Sequence, residues 1–163
     1  MRSSREGAPD RAALLRLLHE AFVGPAWHGP SVAAALRGAR AAEALWRPAQ
    51  GRNTIWELVL HLAYSKHVVL RRLTGHAGRF PRRLRRPWWP ALPRPADEAA
   101  WQRDRALLED CHRALVAAVQ AAPGAALARV TRRPLAEHVA GIALHDTYHG
   151  GQIRLLRKLR EVR

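Results

Sequence analysis

The chain has 163 residues, 48% of them hydrophobic, which is enough for one domain with a buried core and too apolar for a disordered class. No apolar run approaches the roughly 20 residues needed to cross a bilayer, and the start Met1-Arg2-Ser3-Ser4-Arg5-Glu6-Gly7 is charged rather than signal-like, so a cytoplasmic protein is expected. A single cysteine, Cys111, excludes an internal disulfide and a cysteine-based zinc site, while 28 Lys+Arg against 13 Asp+Glu leave a net +15 that attracts anions and non-specific nucleic acid.

The first long helix is expected from Pro9 to about Val23, because proline suits a first turn and Leu14, Leu18, Ala21 and Phe22 form a stripe. Gly24-Pro25 breaks it. Ser31 can cap a short helix through Leu36, and a second short piece, Ala41 to Trp46, ends at Pro48. Thr54 and Glu57 form a capping box for the second long helix, which runs to Leu73 or Thr74 and stops at Gly75. Residues 75–96 are a Pro- and Arg-rich crossover without periodicity.

Asp97 caps the third long helix, with Trp101, Leu108, Leu115 and Val119 on one side, and Ala122-Pro123-Gly124 ends it. The last helix starts at Pro134 and runs towards Arg160, carrying Leu135, Val139, Ile142, Ile153 and Leu156. Four long stripes, about 9–23, 54–74, 97–121 and 134–160, share one core most simply as an all-α four-helix bundle. Residues 1–163 read as a single domain, with no sheet and no repeat.

His145 and His149 stand four residues apart on the last helix, one above the other, so both can reach one ion. Two ligands make a weak site. His61, which interrupts the apolar run 55–64, is the best third. Three neutral imidazoles from two helices would hold a divalent transition metal and leave a position open, as catalytic sites do. His138 falls near the same side two turns earlier, and reads as a neighbour of the site or as a partly exposed residue near a helix start.

Other residues near this cluster carry two readings each. Asp146 lies in the centre of the apolar stripe and must be paired. It could orient a ligand histidine, or hold His28 or a tryptophan N–H; direct ligation is the weaker reading. Gly150 and Gly151 each cost about 1 kcal/mol in a helix, which asks for close approach of a helix or ligand, or else a local kink. Glu57 completes the capping box, yet one turn before His61 it could also serve as a general base. Cys111 reads as a small buried hydrophobe rather than a nucleophile. Trp88 and Trp89 in the arginine-rich crossover read as folded onto the bundle rather than as a nucleic-acid surface.

Trp27-His28-Gly29-Pro30-Ser31, Leu45-Trp46-Arg47-Pro48, the segment from Thr54-Ile55-Trp56-Glu57 to His61, and His145-Asp146-Thr147-Tyr148-His149-Gly150-Gly151-Gln152-Ile153 occur together in this order. In these features the chain resembles the DinB/YfiT-like superfamily of metalloenzymes, from the first helix to about Leu159. The resemblance implies an up-down-down-up bundle with His61, His145 and His149 as metal ligands, zinc or nickel as the metal, and a homodimer. It also implies kinship with S-transferases that use low-molecular-weight thiols such as bacillithiol or mycothiol, and with a mycothiol-dependent maleylpyruvate isomerase.

The expected function is therefore a metal-dependent transferase acting with a small thiol. A thiol in the open position would be deprotonated and could attack an electrophilic cosubstrate. The alternatives are a metal-dependent hydrolase, in which bound water falls to a pKa of about 7 and Glu57 is the only obvious acid/base, and a basic nucleic-acid-associated protein with a structural metal.

Overall fold

A computed structural model describes residues 10–162 apart from 28, 77, 79, 82–87 and 90. The expected charged start, Pro9, His28 and the arginines from Arg82 to Arg86 lie outside the described residues. Among the described residues every regular element is a helix: α1 (Arg11–Phe22), α2 (Val32–Leu36), α3 (Ala41–Ala44), α4 (Ile55–Thr74), α5 (Glu98–Ala121), α6 (Gly124–Ala128) and α7 (Leu135–Glu161).

Local chemistry explains most of the boundaries. Asp10 caps α1 through Ala13 N at 3.2 Å, so this helix starts at Arg11 rather than at the expected Pro9. Ser31 caps α2, accepting from Ala34 N at 3.3 Å, and its hydroxyl also donates to the Val23 carbonyl at 2.8 Å, tying the end of α1 to the start of α2. At α4 both arms of the capping box are present: Glu57 N donates to Thr54 Oγ1 at 3.2 Å, and Thr54 N donates to Glu57 Oε2 at 2.7 Å. Gly75 ends α4 at φ 83°, a left-handed cap that favours glycine. Asp97 caps α5 through Ala100 N at 2.7 Å.

Two outcomes differ from expectation. The piece expected over Ala41 to Trp46 is helical only to Ala44, with Leu45 and Trp46 continuing as a turn on the carbonyls of Ala41 and Glu43. The five-residue α6 was not expected at all, because so short a segment has no periodicity to read.

The four long helices pack through the expected stripes. α4 lies against both α5 and α7, and α1 lies against α7 and α5. Leu14, Leu18, Val69, Leu115, Val119, Leu135 and Val139 are buried together in one cluster. The second cluster centres on Trp56 and Trp101, whose rings meet edge-on at 5.3 Å between centroids. Their polar ends are satisfied: Trp56 Nε1 donates to Asp104 at 2.8 Å and Trp101 Nε1 to the Ala39 carbonyl at 2.8 Å.

One ion pair lies wholly inside this packing. Lys66 on α4 and Asp146 on α7 are both fully buried, and Nζ donates to Oδ2. Burial pushes the Lys66 ammonium down and the Asp146 carboxyl up, while their mutual attraction opposes both shifts. The Lys66 ammonium also sits 4.9 Å over the Phe22 ring. The partner that a buried Asp146 required is thus a lysine on the neighbouring helix.

Candidate metal centre

The capping box sets where α4 starts, and His61 follows two turns later on the side facing α7. There it meets His145 and His149. Nε2 of His61 lies 2.9 Å from Nε2 of His145, and Nε2 of His149 lies 3.1 Å from the same atom. One ligand atom from each of the three residues falls within 4.8 Å of the others. The sequence-expected triad therefore converges on one point.

The outer nitrogens explain the ring orientations. His61 Nδ1 lies 2.6 Å from the Trp88 carbonyl, and His149 Nδ1 lies 2.6 Å from Gln152 Oε1. Both partners are acceptors, so each Nδ1 carries the proton and each Nε2 turns a lone pair inward. At most one proton, on His145 Nε2, can sit among these three atoms while all rings are neutral. His145 Nδ1 is buried with no partner.

Burial disfavours the charged form of all three rings. Burial pushes His145 down to about 3, with the neighbouring His149, His61 and Lys66 adding to the effect. Burial also lowers His61 and His149, against the pull of the Trp88 carbonyl and of Gln152. Neutral imidazoles with converging lone pairs are the donor set that a divalent cation requires. Tetrahedral ligands at about 2.0–2.1 Å from zinc stand roughly 3.3 Å apart, close to the 2.9 and 3.1 Å that separate His145 Nε2 from its two neighbours. The residues fit a metal.

The crossover returns over the site. The Trp89 ring stacks on His61 at 4.2 Å and 9°, and the Trp88 edge meets Tyr64 at 5.7 Å. Both tryptophans remain half-exposed, at 52% and 42%, so they shield one side of the cluster without sealing it. A groove of about 400 Å³, with Trp88 among its lining residues, runs between α4 and α7 from His145 past Ser65 and Gly141 to Arg72 and His138.

Other expected site residues take separate places. Burial works to raise the Glu57 carboxyl, but hydrogen bonds from Arg47 and Thr54 hold it below its ordinary value. Oε1 accepts from Arg47 at 2.8 Å and Oε2 from Thr54 N at 2.7 Å. Asp146 pairs with Lys66, and its Oδ1 is buried without a partner. His138 stands apart from the triad, bonded to Arg72 and Thr131. Cys111 is buried, and burial pushes its thiol up to about 11, which suits packing and not nucleophilic attack.

Gly150 is approached by the Pro30 carbonyl and by Val32, both 3.7 Å from where a Cβ would stand, so the start of α2 abuts α7 there. A Cβ at Gly151 would meet nothing. Gln152 joins the site beyond the expected ligands, and its spacing of three from His149 is the sequence signal that marks it. The positions of Trp88 and Trp89 over His61 had no such signal.

The DinB superfamily model matches residues 27–153, a span that contains all three histidines and most of the chain. The chain belongs to the DinB superfamily. No curated protein and no solved structure gave a significant match. For this DinB-superfamily member the histidine cluster is a possible metal-binding site, lying between two of the long helices inside the matched span.

Proposed function

We propose that this chain is a metal-dependent enzyme, with a divalent ion held by His61, His145 and His149, and that it is an S-transferase acting with a low-molecular-weight thiol. The observation that carries the metal reading is the convergence of three Nε2 atoms whose outer nitrogens, at His61 and His149, are already committed to acceptors. Zinc or nickel fits three imidazoles by donor type. The pairing of α4 with α5 and α7, and of α1 with both, supports the up-down-down-up bundle.

When bound, such an ion supplies an open Lewis-acidic position that favours the deprotonated form of a thiol. The protein's own residues do the rest. The Trp88 carbonyl and Gln152 keep the ligand tautomers fixed. Trp89 keeps water from one side of His61, and the groove beside His145 admits the substrate. The hydrolytic alternative asks Glu57 for a free carboxylate, and both of its oxygens are occupied. Asp146 acts in this reading through the Lys66 pair, holding α7 in register with α4 behind the ligands.

A homodimer is part of the same reading. Leu144, Tyr148, Leu155 and Leu159 are all exposed and lie within one narrow arc of α7, with Gly151 among them. Sedimentation equilibrium should give twice the chain mass, and Leu155→Glu should shift it to the monomer. Thiol conjugation is the functional test. Protein reconstituted with zinc or nickel should consume a thiol and an electrophile together, and chelation or His149→Ala should stop it. Thiol consumption unaffected by chelation would remove the transferase reading.

A further inference from the structure

We infer that the groove between α4 and α7 is a bipolar substrate site, in which Arg72 and Arg133 anchor a terminal oxyanion about two helical turns from the metal ligands. The inference rests on the metal reading only for the end of the groove at His145. The anchor itself lies at the other end.

His138 and His145 are seven residues apart on α7, which places them about 10 Å apart along the groove. At the His138 end, Arg72 Nη1 lies 3.4 Å from His138 Nδ1, and His138 Nε2 lies 3.1 Å from Thr131 Oγ1. The guanidinium donates to Nδ1, so His138 carries its proton on Nε2 and is itself neutral. It works as a prop that holds the Arg72 fork at the groove rim. Arg129 donates to the Arg72 carbonyl and brings a further positive charge. Arg133 also lines the groove, with the Glu137 carboxylate 3.7 Å from its guanidinium. Three guanidiniums against one carboxylate leave this end cationic, and a planar fork suits a carboxylate or phosphate.

The middle of the groove is of a different kind. Val68, Val69 and Ile142 make an apolar floor. Gly141 lies in the interior of α7, where glycine costs about 1 kcal/mol relative to alanine, and a Cβ there would meet nothing. Packing therefore does not require this glycine, and its missing side chain deepens the groove midway between the two polar ends. A ligand that fits is elongated, with a soft donor at one end, an apolar middle and an oxyanion about 10 Å away.

Calorimetric titration at constant ionic strength tests this, with mercaptooctanoate and the neutral mercaptooctanol as probes of the zinc-loaded protein. The acid should bind more tightly, and Arg72→Gln should cost the acid about tenfold or more while leaving the alcohol unchanged. Arg113→Gln, on an exposed part of α5, should leave the preference intact, which separates the anchor from general attraction to a basic surface. Gly141→Leu should weaken both probes by filling the floor.

Equal binding of acid and alcohol, binding of neither, or an equal loss of both on Arg72→Gln would overturn the anchor. If the protein retains no metal, the metal reading fails by itself. The anchor is then read from octanoate and octyl phosphate against octanol with metal-free protein and the same arginine variants. A preference for either oxyanion that disappears in Arg72→Gln supports it, and no preference refutes it.

Discussion

His149 Nδ1 lies 2.6 Å from Gln152 Oε1, three residues further along the same helix, and this contact determines which nitrogen of the ligand faces the cluster. An amide oxygen can only accept, so the imidazole proton is pinned outward and Nε2 is left free to ligate. Gln152→Leu keeps the helix and much of the side-chain volume but removes the acceptor. It should weaken metal affinity about 10- to 100-fold with little change in unfolding free energy. Competition against a metal indicator measures it, and an unchanged affinity would show that the contact does not matter for binding.

The Lys66–Asp146 pair gives an asymmetric expectation. Lys66→Met or Asp146→Leu alone leaves a fully buried charge unpaired and should cost about 3–5 kcal/mol, whereas the double variant should recover much of that loss. Urea unfolding of the two single variants and the double completes the cycle. Additive losses would mean that the two side chains are not coupled in the folded protein.

His112 sets an acid limit on stability. Its ring stacks on Phe22 at 3.9 Å, and its Nδ1 is buried without a partner. Burial, followed by the nearby Lys66, His19 and Arg113, pushes it down from 6.5 to about 3. Between those values the unfolded chain binds a proton that the folded chain does not. The neutral ring's contribution is therefore fully present above pH 6.5 and is lost as pH falls towards 3. His112→Phe keeps the stack and removes the titration, so its stability should fall less steeply than wild type from pH 7 to pH 4. Parallel curves at equal metal loading would assign the acid loss elsewhere.

Thr54 and Glu57 separate helix chemistry from reaction chemistry. Thr54→Ala should cost about 1 kcal/mol while leaving metal content intact. Glu57→Gln should lower stability and spare any metal-dependent activity, since both carboxylate oxygens already bond Thr54 and Arg47. Lost activity with unchanged stability would instead make Glu57 a catalytic base.

The parts of this protein that were legible in its sequence are those governed by short range. Asp97, Ser31 and the Thr54–Glu57 pair act within three residues, and Gly75 acts within one, so the helix ends they set could be read directly. His145 and His149 were legible for the same reason. His61 stood out because an imidazole broke an apolar run on another helix.

Most other tertiary relationships are not legible in the sequence. Lys66 gave no sign of being buried, because its partner lies 80 residues away on α7. The stacking of Trp89 on His61 depends on the path of an aperiodic, proline-rich crossover. The anchor at Arg72 and Arg133 depends on bringing α4 against the segment that leads into α7, and in the sequence those residues are two arginines among many.

X-ray absorption at the metal edge of protein purified without a histidine tag tests the central claim most directly. The expected result is about one zinc or nickel per chain, with three imidazole nitrogens at about 2.0–2.1 Å and further light-atom scattering from the open position. In His61→Ala, His145→Ala and His149→Ala that signal should be lost or reduced to two imidazoles. A first shell of sulfur or carboxylate oxygen alone, or an unchanged spectrum in all three variants, would contradict it.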